Sequence, residues 1–267
     1  MKYGVKRLKL VLSIFLLLFV FIFISYSQDE SPSKGKVYYL KVMKEFGAVS
    51  SSYRTYIKKK LEKINKDSSA KAVIIEIDTP GGGLGDAVKI ATYIKNTKYK
   101  TITFVHDYAY SAGAIISLSA DYTVMSKGGV IGNVFPITVG KDGQPTAIKD
   151  EKVRIKILSG LRALVKELAE KRQKRLIREI SAGEKRYKHL KDSRSVQRLK
   201  RIFAAMVDKD IELTMKEDGF KLSSKDLLIL TSKEAYKLGV IDGIYDDVKA
   251  IIKEFKLDDY ELVENIN

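Results

Sequence analysis

The 267-residue chain has no Cys and no Trp, and only two His, His106 and His189. Without Cys there is no disulfide, zinc–thiolate centre, thiol nucleophile or lipid-modified cysteine. Two histidines leave little room for a multi-histidine metal site. No internal repeat is visible. Disorder is excluded as well, because 45% of the residues are hydrophobic and 31% charged, and the length suffices for a sizeable core.

Acidic residues are outnumbered, 33 against 49 Lys and Arg, for a net charge of +16. The excess is local. Residues 161–201 hold 15 basic and 5 acidic residues, and Lys2, Lys6, Arg7 and Lys9 add four positive charges at the N-terminus. Those four precede a 15-residue apolar run at 10–24 and the small polar segment Ser25-Tyr26-Ser27-Gln28. This is the layout of an export signal. The run is short for a membrane span, which takes about 20 residues, but it can also stay in place as an anchor. Either way the positive-inside rule puts the folded part outside the cytoplasm. Residues 28–35 read as a linker.

Lys36–Val42 is β-branched and aromatic, a strand, and Ser50–Asp67 has apolar residues at helical spacing behind a serine cluster that can cap it. Ala72–Ile77 is a short apolar run typical of a strand covered on both faces. A helix after Gly83, a strand at Thr101–Val105, a helix at Ser111–Ala120 and a strand at Tyr122–Met125 extend the alternation. The order predicts an α/β fold with a mainly parallel sheet. A hairpin is expected at Lys141-Asp142-Gly143-Gln144, then a long helix from about Lys152 to Arg178 and basic helical sequence to Arg201. Thr231 caps a short helix that Gly239 stops, and Val240-Ile241-Asp242 reads as a last strand before a helix at Val248–Phe255.

Two βα turns carry the chemistry. Asp78-Thr79-Pro80-Gly81-Gly82-Gly83 lets backbone N–H groups approach either a phosphate or the oxyanion of an acyl-transfer transition state. It is neither a Walker loop nor a dinucleotide fingerprint. Tyr110-Ser111-Ala112-Gly113 gives a serine hydroxyl room at a strand-to-helix turn, the logic of a nucleophile elbow. Taken alone it is also an ordinary helix cap. Successive βα turns of one parallel sheet share an edge, so the two meet where such folds bind ligands. Neither histidine stands downstream of Ser111 facing it. A lysine serves as base where burial disfavours its charge, and Lys149, Lys152 and Lys156 all stand in range.

In chain order, Ile77-Asp78-Thr79-Pro80-Gly81-Gly82, Tyr110-Ser111-Ala112-Gly113, Val130-Ile131-Gly132-Asn133, Asp150-Glu151-Lys152-Val153, Ala205-Met206-Val207-Asp208 and the stretch from Leu230 to Asp242 resemble the NfeD-type, ClpP-class membrane-bound serine proteases, relatives of signal peptide peptidase A. The likeness covers most of 36–247. It implies a ClpP/crotonase-like fold and a Ser–Lys dyad of Ser111 as nucleophile and Lys152 as general base. It implies oxyanion donors at the N–H groups of Gly82 and Ala112, with Gly81, Gly83 and Gly132 against the substrate. It also implies hydrophobic peptide or membrane-protein substrates, a stomatin-like (SPFH) partner and self-association, with no metal or other cofactor. The resulting division is an export or anchor segment at 1–27, the linker at 28–35, a protease domain at 36–256 with a basic helical insertion at about 172–201, and a tail at 257–267. The usual Gly-Arg-Asn of the family is replaced by Lys171-Arg172-Gln173-Lys174-Arg175, and the C-terminal membrane spans and small β-barrel of long members have no counterpart.

Other readings compete. The same fold without an active dyad would be a scaffold for a membrane partner. An acyl-CoA enzyme needs a cytoplasmic substrate that an export signal denies it. The basic segment reads as a solvated helical face, with Glu167, Glu170, Glu179 and Glu184 interleaved as i,i+4 partners. It suits anionic lipid headgroups better than nucleic acid, which is not expected as a partner.

Overall fold

The computed structural model describes residues 35–41, 47–140, 144–191, 194–215, 220–222 and 226–264. The expected export or anchor segment at 1–27, all of the linker but Gly35, and the tip of the expected hairpin at 141–143 lie outside them.

The N-terminal half follows the expected alternation: β1 (Lys36–Lys41), α1 (Ser51–Lys66), β2 (Ala70–Thr79), α2 (Leu84–Lys95), β3 (Lys100–Tyr110), α3 (Ala112–Ser119) and β4 (Tyr122–Met125). Short strands β5 (Val130–Gly132), β6 (Thr138–Val139) and β7 (Pro145–Thr146) come next, then the 31-residue α4 (Glu151–Ser181). A 3₁₀ turn (Lys185–Leu190) and α5 (Ser195–Ala205) complete the basic segment. The C-terminal part holds β8 (Leu213–Met215), β9 (Phe220–Leu222), β10 (Ile229–Thr231), α6 (Ser232–Lys237), β11 (Gly243–Ile244), α7 (Val248–Glu254) and β12 (Glu261–Glu264).

The eight-stranded sheet runs β10-β5-β3-β2-β1-β12, with β4 beside β3 and β11 beside β4. Every pairing in it is parallel except β10 with β5. Alternate residues of β2 enter different cores. Val73, Ile75 and Ile77 face the helices α1 to α5, and Ala72 and Ile74 face α7 through Ile251 and Phe255. Burial on both faces explains the unbroken apolar run at 72–75. Tyr53, Ile57, Leu61 and Ile64 form the inner stripe of α1, each contributing roughly 1.5–3 kcal/mol by burial.

Three expectations change. The tail at 257–267 contributes β12, which extends the sheet by pairing with β1. The strand expected at 240–242 forms at Gly243–Ile244 instead, because Asp242 turns inward to a buried ion-pair network. The basic segment is not a solvated face throughout. α4 passes unbroken through residue 172, and Arg172 and Arg175 are buried. Both guanidinium groups donate to Asp242, from 3.1 Å and 2.6 Å, while Tyr187 Oη donates from 2.6 Å and Thr123 N from 2.7 Å. Burial alone would push the Asp242 carboxyl up, but Arg172 and Arg175 outweigh it and hold the group well below the usual carboxylate range. Lys174 remains exposed.

Candidate active site

Parallel β2 and β3 end side by side, so the turns leaving them meet. Ser111 stands between β3 and α3 with φ 51° and ψ −116°, a conformation that non-glycine residues seldom adopt and that costs of order 1–3 kcal/mol. Its N–H donates to the Gly132 carbonyl at 2.9 Å, and its own carbonyl accepts from Ala114 N at 3.0 Å. The turn is thus held from β5 on one side and α3 on the other. Its hydroxyl makes no capping bond to the helix, which leaves Oγ for chemistry.

The glycine loop packs directly on this turn. Gly81 has φ 113°, and a Cβ there would stand 2.7 Å from Ser111 Cβ. Gly82, at φ 144°, bridges to Val49: Val49 N donates to the Gly81 carbonyl at 2.7 Å, and Gly83 N to the Val49 carbonyl at 2.8 Å. In such a bridge the N–H of Gly82 itself points away from Val49. Ala112 opens α3, so its N–H has no acceptor within the helix. Thr79 Oγ1 braces the loop from below, donating to the Gly47 carbonyl at 2.7 Å. A Cβ on Gly113 would lie 2.6 Å from Thr79 Cγ2, so the small residue after Ala112 allows α3 to close on β2.

Gly82, Gly83, Ser111 and Ala112 line one cavity of about 800 Å³, with apolar walls from Leu84, Ile115, Phe135 and Leu161. Asn133 also lines it, at φ 52° with its N–H on the Leu228 carbonyl. Sequence patterning assigns Asn133 no role of its own; the left-handed turn after Gly132 is the signal that points to it. Gly81 and Gly132 are not lining residues. They act through backbone, Gly81 by close approach to Ser111 and Gly132 through its carbonyl.

The base expected at Lys152 lies on the surface of α4. It is exposed on the first turn of α4, where the Asp150 carboxylate caps the helix by accepting from Lys152 N at 2.9 Å and Val153 N at 3.1 Å. It does not line the cavity. Of the three candidate lysines, Lys149 lines an adjoining apolar hollow of about 400 Å³ with Ile137, Val153 and Ile157, and Lys156 is exposed.

Residues 36–173 match the family model for the N-terminal domain of NfeD1b. The membrane protein NfeD1b of Bacillus subtilis is 28% identical over 221 residues, which is 83% of this chain and 41% of that protein. This chain therefore spans less than half the length of that relative. An uncharacterised protein of Methanocaldococcus jannaschii is 42% identical over 60 residues, 22% of this chain and 20% of that protein. Among solved structures, a serine-to-alanine mutant of the 1510-N membrane-bound stomatin-specific protease superposes with a TM-score of 0.60 at 22% identity, covering 88% of this chain and 98% of that one. A lysine-to-alanine mutant of the same protease in complex with a substrate peptide gives 0.61 at 21%, covering 89% and 94%. At these identities the likeness is one of fold. The ClpP/crotonase-like architecture, a mainly parallel sheet with flanking helices, is the fold of this chain. Among the described residues, no helix is long and apolar enough to cross a membrane.

Proposed function

The chain belongs to the NfeD1b N-terminal-domain family, and from that premise we propose that it is a membrane-associated serine endopeptidase cutting hydrophobic segments of membrane or exported proteins. One observation carries the reading. A serine in strained backbone geometry, its hydroxyl free of capping, stands at an apolar cavity lined also by Gly82, whose N–H points away from Val49, and by Ala112, whose N–H has no acceptor within its helix.

In this reading Ser111 Oγ attacks the peptide carbonyl as Lys152 takes its proton. The N–H groups of Gly82 and Ala112 receive the oxyanion, and the leaving amine collects the proton from Lys152. Water, activated by the same amine, then releases the acyl group. A lysine acts as base only where its charge is disfavoured. The exposed first turn of α4 therefore has to be covered for Lys152 to act. A bound peptide along the Phe135–Thr138 and Ile148–Ile157 walls, or a second copy of the chain, would supply that cover. The peptide-bound relative is a stomatin-specific protease, and a stomatin-like substrate or partner is proposed for this chain too. The basic and apolar N-terminus would deliver the domain to the extracytoplasmic side.

A second reading, a catalytically inactive scaffold binding a membrane partner, is favoured by the exposure of Lys152. A serine-reactive acylating probe and a hydrophobic peptide separate the two. The wild type should be labelled and should cleave, and Ser111→Ala and Lys152→Ala should each lose cleavage by a factor on the order of 10⁴ or more while staying folded. Retained activity in Lys152→Ala with loss in Lys149→Ala would move the base to Lys149. No labelling of the wild type would leave the scaffold.

A further inference from the structure

On the sheet face that α7 covers, β2 and β3 end in a cluster that plays no part in the proposed hydrolysis. Asp78, His106 and Asp107 each direct one donor atom so that all three lie within 4.8 Å of one another. The convergence is built into the backbone. Ile77 pairs with Val105 and Thr79 with Ala109, so β3 spends two extra residues opposite Asp78. That irregularity brings the consecutive residues His106 and Asp107 to bear on the Asp78 side chain. The His106 side chain is partly exposed, at 41%. Its ring meets Phe104 edge-on at 5.8 Å, and Ser126 Oγ holds the His106 carbonyl. His106 Nδ1 is shielded from solvent, pairs with Asp107 Oδ1 at 3.1 Å, and has no hydrogen-bond partner of its own among the described residues. Asp107, with 55% of its side chain exposed, leaves an entrance from solvent.

We propose that Asp78, His106 and Asp107 bind a divalent transition metal, with zinc the best fit and water completing the shell. One imidazole and two carboxylates are the donor set that borderline ions favour and that calcium or magnesium, which take oxygen alone, do not. Donors about 2.0–2.2 Å from a tetrahedral zinc stand about 3.4 Å from one another, so the three donors, within 4.8 Å of one another here, have to draw closer to close the site. The bound ion would tie together the ends of β2 and β3. Asp78 directly precedes the Thr79-Pro80-Gly81 loop, and Asp107 precedes Ser111 by four residues. Its role is to fix the two turns, independent of whether the serine is active.

The composition makes the test clean, since the chain has no Cys and only one other His. Isothermal titration of the untagged full chain with Zn²⁺, Mn²⁺ and Mg²⁺ should show one site, tightest for Zn²⁺ and weakest for Mg²⁺. His106→Ala should weaken Zn²⁺ binding on the order of 100-fold or more. Asp107→Asn, at an exposed position that leaves folding intact, should also weaken it, and His189→Ala should not. Zn²⁺ should raise the thermal midpoint of the wild type by more than that of Asp107→Asn at the same concentration. Absence of a stoichiometric site at micromolar zinc overturns the proposal, as does binding that survives unchanged in His106→Ala and Asp107→Asn.

Discussion

At the scale of single residues, Ser111 differs from the other helix-capping positions. Ser50, Asp150, Thr231 and Asp247 cap with extended backbone and spend their side chains on helix N–H groups. Ser111 alone among the described N-caps has positive φ, and its side chain is spared. The glycine beside it is the counterpart of that strain. Gly81→Ala would add a Cβ 2.7 Å from Ser111 Cβ at a φ of 113°, at a backbone cost of about 1–2 kcal/mol. The loop would have to withdraw and carry the Gly82 amide out of place. Loss of one oxyanion donor costs about 10²–10³ in rate, so acylation of Ser111 by the probe should slow by that order with the fold intact. Gly85→Ala is the matched control. Gly85 lies inside α2 with nothing within 4 Å of its added methyl, so that variant should label at the wild-type rate and gain a few tenths of a kcal/mol to about 1 kcal/mol of stability. Equal labelling rates for the two variants would remove Gly81 from the site.

At the scale of elements, the basic segment is fastened by one carboxylate. Asp242 joins α4, the 3₁₀ turn and the start of β4 through Arg172, Arg175, Tyr187 and Thr123. Removing one partner of a buried pair typically costs 3–5 kcal/mol, because the other charges stay buried. Asp242→Ala should therefore lose about that much in a denaturant melt. Asp246→Ala, whose partner Lys127 is exposed, should lose less than about 1 kcal/mol. This network shows where the sequence stops being legible. The caps at Ser50 and Thr231 and the apolar spacing of α1 can be read because their partners lie within four residues. Asp242 lies 70 and 67 positions from Arg172 and Arg175. Nothing local distinguishes those two guanidinium groups from exposed Lys174, and all three read as surface charge. Strands β8, β9, β10 and β12 escape sequence patterning for the same reason, being three or four residues long and defined by distant pairing. The serine turn and the glycine loop are legible because each is a local backbone device. The lysine is not legible in the same way: Lys149, Lys152 and Lys156 stand close together in sequence, and no local pattern separates them.

At the scale of the whole molecule, acid stability follows from two carboxylates at separate places in the fold. Asp67 joins β1 to the turn between α1 and β2, accepting from Ser69 Oγ at 2.6 Å, Ser69 N at 2.8 Å and Lys36 Nζ at 3.2 Å, and from Tyr38 Oη. Bonds from Ser69 first and Tyr38 second hold its carboxyl well below the usual range. Burial and the same hydrogen bond push the Tyr38 hydroxyl up to about 12, so Tyr38 stays a donor throughout the neutral and acid range in which the carboxylate is charged. For Asp67 and Asp242 alike, the folded state refuses protons that the unfolded chain accepts at about pH 3.9. Their stabilisation is therefore fully present above that value and is lost as pH falls through it toward the depressed folded values. Unfolding free energy should be level with respect to these groups from pH 7 to about 5, then fall. Asp242→Asn isolates one of them. It starts less stable at pH 7, but it lacks a titrating group at 242, so its decline below about pH 4 should be shallower and the gap to the wild type should narrow. Urea melts at pH 7, 5 and 3 on both proteins read this directly. A gap that stays constant from pH 7 to 3 would mean that the buried arginine pair does not hold Asp242 charged in the folded protein.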